Sequence, residues 1–285
     1  MSDGERSFVE TNKDAKDGYR KMGLSVTIAA KNESANLAQC LSSVSFADEI
    51  VLVDDCSSDD TTEKARSFGA RIIVRDSKGS FHENKNIAIE EAEGEWILSL
   101  DADEIVSEQL AHSIESALTC PDRDGYLVDR HNYFLGRWIK GCGWYPDYIL
   151  RLFRKGKAWW PLEIHDVPRL ESGDPAAPLL EGPLIHNSYS SLEQYFGKFN
   201  QYTSRLAVEY SQQQRSMRGF SIPLNLGLRP FYWFFKKYLL LRGFGDGIPG
   251  FFICFSSALA IFVSYLKLWE AEEKVRASEY RLHKD

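Results

Sequence analysis

Residues 1–22 contain no run of apolar residues and are rich in charged side chains. Because a secretory signal peptide needs an apolar central region, this segment does not resemble one, and we expect a polar tail. Cysteine is scarce: the five residues are odd in number and include no CxxC pair. A disulfide framework or a zinc knuckle is therefore not expected, and a reducing, cytoplasmic compartment fits the sequence better.

Excess positive charge, internal repeats and low-complexity tracts are also missing. The formal net charge is −7, which argues against general nucleic-acid binding. What is present is a globular composition, with 44% hydrophobic and 26% charged residues in a chain of 285. A chain of this size buries a large core, either as one domain or as one domain with an appendage.

The C-terminal part contains a segment without acidic residues: residues 211–245 include neither Asp nor Glu. Six cations lie there, interleaved with the aromatic run FYWFF at 231–235: Arg215, Arg218, Arg229, Lys236, Lys237 and Arg242. Basic and aromatic residues together are typical of an anchor at an anionic membrane surface. The alternative is a pair of helices packed on the rest of the chain or on a second copy of it.

Residues 247–266 are twenty consecutive uncharged residues. A membrane-spanning helix needs about 20 apolar residues to cross about 30 Å of hydrocarbon. Gly247, Pro249 and Gly250 interrupt the start, and a helix over 251–266 would reach only about 24 Å at 1.5 Å per residue. The sequence therefore predicts a helix that lies in the membrane interface or dips into it, rather than one that spans the bilayer.

The first half of the chain alternates apolar strands with amphipathic helices. Strands are predicted at 25–30, 49–55, 71–74 and 95–104. Helices are predicted after an N-cap at Asn32, from the capping box at 60–63 to Phe68, over 84–93, and after an N-cap at Ser107. Such alternation predicts right-handed βαβ units and a parallel sheet covered by helices on both faces. From 120 to 190 the pattern changes to short strands with glycines and aromatics, and a helix follows at 191–210.

Polar side chains follow three of the predicted strands, at the edge where ligands bind in such sheets. They are Lys31 and Asn32, Asp54 and Asp55, and then Asp101 and Asp103. Mg²⁺ and Mn²⁺ prefer oxygen ligands and commonly take one or two carboxylates together with substrate phosphates. The DxD at 101–103 therefore predicts a divalent metal site, with a solvated acidic turn as the alternative.

Four segments together resemble a known family: AAKNES (29–34), VDDCSSDD (53–60), ENKNIAI (83–89) and AEGEWILSLDADE (92–104). Their order and spacing are similar to those of family 2 glycosyltransferases. The resemblance implies the GT-A fold, a Rossmann-like α/β domain with a mostly parallel sheet, here followed by a helical C-terminal region. We expect a polar tail at 1–22, the GT-A domain at 23–210, and a basic, aromatic, membrane-associating region at 211–285.

The resemblance also implies a nucleotide-diphosphate sugar as donor (a UDP-sugar), Mg²⁺ or Mn²⁺ as cofactor, and inversion at the anomeric carbon. Carried over by position, the donor residues are Ala30, Lys31, Asn32 and Glu33 around base and ribose, Asp54 or Asp55 at the base, Lys85 at the diphosphate, and Asp101 with Ala102 at the ribose or a metal-bound water. Asp103 would hold the metal. Ala29 and Ala30 stand where many members have a proline-containing turn.

Three later segments resemble further parts of these enzymes: GCGWYPD (141–147), EIHDVP (163–168) and LIHNSY (184–189). They imply Asp166 as the general base with Asp147 as its rival, and His186 as a late metal ligand. The alternative for His186 is a core histidine. Trp144, on its glycine-flanked loop, is the candidate for stacking on an acceptor sugar, although aromatic residues more often supply core packing.

The later segments are similar to those of bacterial lipopolysaccharide-core β-glucosyltransferases. This implies hexosyl transfer to a lipopolysaccharide-core or lipid-linked glycan by an enzyme peripheral to the cytoplasmic face of the membrane. A transferase acting on a polyprenyl phosphate is the nearest alternative. From other classes, a non-catalytic sugar-nucleotide-binding protein and a nucleotidyltransferase remain. The latter would carry an early glycine-rich phosphate loop, and AAKNESAN (29–36) has no glycine.

Overall fold

The computed structural model describes residues 23–161, 168–171 and 179–282. They form two compact units. The first comprises, within these residues, the chain up to Asp101, Glu108–Leu127 and Leu150–Leu180; the second comprises Ala102–Ser107, Val128–Ile149 and the chain from Glu181 onward. The unit boundary therefore falls inside the DxD segment, between Asp101 and Ala102.

The first unit contains the predicted parallel sheet. Its strands are β1 (Leu24–Ala30), β2 (Glu49–Asp54), β3 (Arg71–Val74) and β4 (Trp96–Asp101), in the order β3-β2-β1-β4. Ala30 pairs with Asp54 and Ala29 with Asp101, so the carboxyl ends of β1, β2 and β4 meet at one edge. Every residue of β1 is buried, as expected for a strand covered on both faces.

Four helices of this unit follow the predicted order: α1 (Ser34–Ser42), α2 (Thr61–Ser67), α3 (Phe81–Glu91) and α4 (Glu108–Thr119). Two predicted caps are wrong in detail. Asn32 has φ 55° and lies in the turn before α1, whose N-cap is Glu33. Asp60 precedes α2 but makes no side-chain cap. Asp59 instead accepts the Thr61 N–H at 3.1 Å.

The sheet continues beyond β4 with antiparallel pairing. Most of β8 (Tyr148–Arg154) belongs to the first unit, and it pairs with β4 through Leu152 and Leu98. In the same unit, β9 (Ala158–Trp159) and β10 (Arg169–Leu170) form a separate two-stranded sheet. The greater parts of β6 (Gly125–Phe134) and β11 (Leu179–Tyr189), and all of β5 (Glu104–Val106), belong to the second unit; they are adjacent in the order β6-β11-β5, and β7 (Arg137–Trp138) pairs with β6. Strands β6 and β11, of 10 and 11 residues, are longer than the short strands predicted for this part.

The C-terminal region is helical, as predicted. It comprises α5 (Leu192–Gln212), α6 (Ser221–Pro223), α7 (Arg229–Phe235) and α8 (Gly247–Leu282), with π-helical turns at Leu224–Leu228 and Lys236–Leu240 and a 3₁₀ turn at Gly243–Asp246. Ser191 caps α5 by accepting the Gln194 N–H. A Cβ on Gly250 would lie 2.0 Å from the Gly243 carbonyl oxygen, so glycine is required where α8 meets the 3₁₀ turn.

Helix α8 is longer than the sequence predicted. It has 36 residues, whereas the prediction was a helix over 251–266. Among the described residues, one stretch, Gly243–Ala277, is long and apolar enough to cross a membrane by length and composition, and 44% of its most apolar window is buried inside the protein. The length of α8 therefore does not exclude that it crosses a membrane. Its contacts with neighbouring helices are the relevant evidence.

Candidate functional site

The loop after β1 is tied to the loop after β2 by hydrogen bonds. Asn32 Oδ1 accepts the Ser58 N–H at 2.8 Å, and the Glu33 N–H donates to Thr61 Oγ1 at 2.9 Å. Asp59 joins the two loops by accepting the Ser34 N–H at 3.2 Å as well as bonds from Thr61. Burial alone would raise the pKa of Asp59, but these hydrogen bonds outweigh it and lower the pKa to about 2.

Asp54 and Asp55, left open by the sequence, have different surroundings. Asp55 Oδ1 accepts the Ser77 N–H at 2.7 Å, and Oδ2 forms an ion pair with Lys31 Nζ at 3.1 Å. Burial raises the pKa of Asp55, but the Ser77 and Lys31 interactions outweigh it and lower the pKa overall. Asp54 Oδ2 accepts the Ser57 N–H at 2.9 Å, whereas its buried Oδ1 has no hydrogen-bond partner among the described residues.

Asp101 lies between two buried cations. Lys85 Nζ is 2.5 Å from Asp101 Oδ1, and Arg151 Nη2 is 2.8 Å from Asp101 Oδ2. The side chains of Lys85 and Arg151 are only 5% and 1% exposed. Both cations also lie over the ring of Trp160, at 3.6 and 5.1 Å from its centroid. Asp101 is therefore neutralised by the protein, and Lys85 is already paired with a carboxylate.

Neither Arg151 nor the contact of Trp160 with the two cations was predicted from the sequence. A signal for Arg151 was present, because a single cation interrupts the apolar strand YILRLF at 148–153. A charge inside a buried strand requires a partner. The identity of that partner depends on the antiparallel pairing of β8 with β4, which the sequence pattern does not specify.

In the second unit, Asp103 and His186 lie together. His186 pairs with Glu104 in the antiparallel ladder of β11 and β5, and the Asn187 N–H donates to the Asp103 carbonyl at 3.0 Å. This register places His186 Nε2 at 3.5 Å from Asp103 Oδ2. The two residues implied as metal ligands by the resemblance, 83 positions apart in the chain, are therefore neighbours.

Asp147 is held by two donors. Arg130 Nε and Asn132 Nδ2 both lie 2.8 Å from Asp147 Oδ2. Arg130 also reaches the fully buried Glu104, with 3.4 Å between Nη1 and Oε1. These contacts give Asp147 a role in fixing β6 and its neighbours, and they occupy its Oδ2.

The remaining predicted residues are placed as follows. Ala30 is buried, and its carbonyl accepts the Asp55 N–H at 2.8 Å. Ala102 is buried in the second unit. The ring of Trp144 is half-buried and packs near Phe134 and Tyr189, and its stacking on an acceptor sugar stays a prediction. Asp166 lies outside the described residues, so its predicted role as the base stays a prediction.

The donor set around Asp103 fits a divalent cation only in part. Each ligand atom lies about 2.1 Å from a bound Mg²⁺, so two atoms 3.5 Å apart can share one ion. Across the part of the chain that the structure describes, no group of three or more His, Cys, Asp and Glu side chains is arranged to hold a metal. Asp103 and His186 would therefore supply two ligands, and the others would have to come from elsewhere, such as a diphosphate.

Comparison with known proteins identifies the family. Residues 25–168 match the glycosyl transferase family 2 domain. An uncharacterized glycosyltransferase of Rickettsia typhi is 30% identical over 264 residues, which cover 89% of this chain and 89% of the relative. The chain therefore belongs to glycosyl transferase family 2, and it is an enzyme of the glycosyltransferase class with the α/β GT-A fold.

Relatives and solved structures whose names give a more specific function are less similar in sequence to this chain. The lipopolysaccharide core biosynthesis glycosyltransferase LpsC of Rhizobium meliloti is 25% identical over 88% of this chain and 93% of its own length. Among solved structures, residues 1–349 of TarS from S. aureus in complex with UDP match with a TM-score of 0.45 and 16% identity, over 89% of this chain and 92% of that one. Glucosyl-3-phosphoglycerate synthase from Mycobacterium tuberculosis, in complex with Mn²⁺, UDP and phosphoglyceric acid, matches with a TM-score of 0.32 and 22% identity, over 39% of this chain and 43% of that one.

Proposed function

We propose that this glycosyltransferase moves a hexose, with inversion, from a UDP-sugar to a lipopolysaccharide-core or other lipid-linked glycan at the cytoplasmic face of the membrane. The observation that carries the proposal is the approach of His186 to Asp103. A carboxylate at the end of the DxD segment and a late imidazole fit a divalent ion that also binds the donor diphosphate. The similarity to LpsC supports the acceptor class.

The roles of the chain's own residues follow from their contacts. Hydrogen bonds already join the paired loops that contain Asn32 and Asp59, and such preorganisation favours recognition of the base and ribose. Asp54 offers its unpartnered Oδ1 to the N3–H of uracil, whereas Asp55 is committed to Lys31 and Ser77. Lys85 and Arg151 provide positive charge beside Asp101.

The transfer step needs one proton acceptor. Asp166 takes the proton of the acceptor hydroxyl as that oxygen forms a bond to the anomeric carbon, and the bond to UDP breaks on the opposite face. Asp147 is less suited to this role because Arg130 and Asn132 both occupy its Oδ2. A divalent metal held by Asp103 and His186 would neutralise the charge that develops on the leaving diphosphate.

The reaction is tested by incubating the purified protein with a UDP-hexose and either truncated lipopolysaccharide core or a polyprenyl phosphate in detergent. Proton NMR then identifies the product and its anomeric configuration. The proposal expects a β-linked glycan on the core acceptor from an α-linked donor, with loss of turnover in chelator. Transfer to the polyprenyl phosphate alone would mean that the acceptor is a polyprenyl phosphate and not a lipopolysaccharide-core glycan. Retention of the anomeric configuration would contradict the inverting mechanism.

The membrane part of the proposal is supported by an exposed apolar stripe in the C-terminal region. Residues every three or four positions along 221–240 are apolar and exposed: Leu224, Leu228, Phe231, Phe235 and Leu239. Two further apolar residues are exposed nearby in the chain: Leu240, the last residue of the second π-helical turn, at 75%, and Ile248, the second residue of α8, at 84%. A contiguous apolar surface of this kind marks an interaction site. The absence of acids from 211–245 favours an anionic lipid surface.

The surroundings of α8 support docking rather than spanning. Lys267 Nζ donates to Asn200, Thr203 and Ser204 of α5, with distances of 2.8–3.0 Å. Helix α5 is itself rich in exposed charged and polar residues. A helix joined along one side to such a polar neighbour is poorly suited to hydrocarbon on all sides. We therefore propose that the apolar stripe lies in the membrane interface, and that α8 packs beneath the stripe as part of the protein rather than crossing the bilayer.

Not all of the six cations are free to meet lipid headgroups. Arg215 and Arg229 both donate to the hydroxyl of Tyr265 on α8, and Lys237 donates to Ser257 at 3.1 Å. Arg218 and Arg242 are exposed, and Lys236 is half-buried with its Nζ 4.7 Å from the centroid of the Trp233 ring. The electrostatic part of docking is therefore assigned to Arg218, Lys236 and Arg242.

Co-sedimentation with vesicles containing anionic lipid tests this part. Replacing Leu228, Phe231 and Leu240 with Ser should release the protein. Arg218→Glu with Arg242→Glu should weaken its binding and make the binding that remains less sensitive to salt, because the screened attraction is lost. The matched control replaces the exposed Leu192 and Val208 of α5 with Ser and should bind normally. Wild-type protein that stays in the supernatant at low salt would assign the stripe to packing or to contact with a second copy.

A further inference from the structure

Asn132 connects the two residues proposed to bind metal with the network around Asp147. It lies on β6 and is only 8% exposed. Its Nδ2 is 2.8 Å from Asp147 Oδ2 and 3.3 Å from the Trp144 carbonyl oxygen. Its Oδ1 is 2.6 Å from His186 Nδ1. All of these contacts lie within the second unit.

The orientation of the Asn132 amide follows from its partners. The carboxylate of Asp147 and the carbonyl of Trp144 can only accept hydrogen bonds, so the NH₂ group must face them. The amide oxygen then faces His186. Arg130 holds Asp147 in place and is itself paired with the buried Glu104. Rotation of the amide would therefore place its oxygen against two acceptors.

A fixed amide oxygen selects one form of the neutral imidazole. Since Asn132 Oδ1 can only accept, His186 Nδ1 must carry the hydrogen, and Nε2 is left with a lone pair. That nitrogen faces Asp103 Oδ2 at 3.5 Å. Ser188 Oγ also lies 3.1 Å from His186 Nδ1, but a hydroxyl both donates and accepts and so selects neither form.

We propose that Asn132 is a positioning residue that holds neutral His186 in the Nδ1–H tautomer and directs the Nε2 lone pair toward Asp103. The role in metal binding rests on the proposed function, whereas the tautomer itself depends only on the contacts above. A ligating histidine whose other nitrogen donates to a fixed acceptor is oriented before the ion arrives. The same amide also anchors the backbone of the 141–147 loop through Trp144.

The tautomer is measured by ¹⁵N NMR of histidine-labelled apo protein at about pH 8.5, where ordinary imidazole side chains are neutral. His186→Ala assigns the resonances of His186 among the six histidines. The wild type should show Nδ1–H and an unprotonated Nε2. Asn132→Ala should give a mixture or the Nε2–H form, since Asp103 is then the better acceptor.

A matched variant separates positioning from packing. Ser188→Ala removes a contact to the same nitrogen and should preserve the tautomer, because the Asn132 amide oxygen still accepts from Nδ1. A wild-type His186 in the Nε2–H form, or an Asn132→Ala protein with an unchanged tautomer, would overturn the proposal.

Metal affinity gives a second readout. Titration of Mn²⁺ into the protein with UDP, followed by electron paramagnetic resonance, should show affinity reduced about 10–100-fold in Asn132→Ala and little changed in Ser188→Ala. Equal loss in both variants would indicate a packing defect and contradict positioning. If the wild type shows the Nδ1–H tautomer but binds no Mn²⁺, the proposed metal dependence fails while the orientation of His186 by Asn132 stands.

Discussion

His186 Nε2 lies 3.5 Å from Asp103 Oδ2, and the antiparallel pairing of β11 with β5 brings them together. In contrast, Asp101, two positions before Asp103, contacts Lys85 and Arg151 in the first unit. The two aspartates of the DxD segment therefore have different surroundings. Asp103 is therefore the aspartate that is available to bind a metal cation, whereas Asp101 neutralises the buried charges of Lys85 and Arg151.

This difference predicts opposite effects of removing each carboxylate. Asp101→Asn leaves Lys85 and Arg151 without their shared counter-charge and should destabilise the protein by about 3 kcal/mol. Asp103→Asn should leave the unfolding midpoint near that of the wild type but remove the dependence of UDP binding on metal. Denaturant unfolding and UDP titration, each with and without Mn²⁺, measure both effects. An Asp103→Asn enzyme with near-normal turnover in chelator would remove Asp103 from the metal site.

The second prediction concerns the base. Asp166→Asn keeps the shape of the side chain and removes the proton acceptor, so turnover should fall about 10²–10⁴-fold. Donor affinity should barely change. The measurements are steady-state transfer rates and UDP-sugar titrations.

Asp147→Asn is the matched comparison for the base. It should weaken the contacts with Arg130 and Asn132 and lower the stability, with a smaller direct effect on the chemical step. If Asp147→Asn gives the large loss of turnover at normal stability and Asp166→Asn does not, the base has been assigned to the wrong carboxylate.

The third prediction separates Asp54 from Asp55. Asp54→Asn should weaken UDP binding roughly tenfold or more, because a buried hydrogen bond to a charged group is lost, while the fold is kept. Asp55→Asn should mainly lower the unfolding midpoint, since it breaks the contacts with Lys31 and Ser77. Calorimetric UDP titration and urea unfolding measure these effects. Equal loss of UDP affinity in both variants, with unchanged midpoints, would reject the assignment.

The fourth prediction concerns pH and the paired loops. The folded pKa of Asp59 is lowered to about 2, so its stabilising contribution is present above the ordinary carboxyl range and is lost as the pH falls toward about 2. Asp59→Asn should have a lower urea midpoint than the wild type at pH 7, and the difference should shrink with acidification. Asp60→Asn is the control, because the Asp60 side chain makes no capping hydrogen bond to α2. Its urea midpoint at pH 7 should differ less from that of the wild type.

The sequence predicted the first half of the fold because hydrophobic periodicity reports elements that bury one face. On α1, the apolar residues Leu37, Cys40 and Leu41 recur at helical spacing in the sequence, and all three are buried. The details that failed depend on contacts outside the local pattern. Asp59, rather than Asp60, bonds to Thr61 because its carboxylate also reaches the Ser34 N–H of the neighbouring loop.

For the site, the sequence predicted residues but not their partners. Asp103 and His186 were implied by the family resemblance, and the structure brings them together. Arg151 and Asn132 were missed because their importance depends on strand pairing in the antiparallel part. Asn132 in particular lies in the segment HNYF (131–134), where nothing in the pattern separates it from an ordinary strand residue. The assignment of Asp166 and the domain limits at 23–210 and 211–285 stay predictions.

We propose that Asp103 and His186 bind a divalent metal together with a nucleotide-sugar donor. The direct measurement is the thermal unfolding midpoint of the full chain with a panel of nucleotide-sugars, with Mn²⁺ or with chelator, for the wild type and for Asp103→Asn. A UDP-sugar should raise the midpoint of the wild type only when Mn²⁺ is present, and Asp103→Asn should lose this metal-dependent increase. Equal protection in chelator, or an undiminished Mn²⁺ effect in Asp103→Asn, would show that these residues do not bind a metal together with the donor.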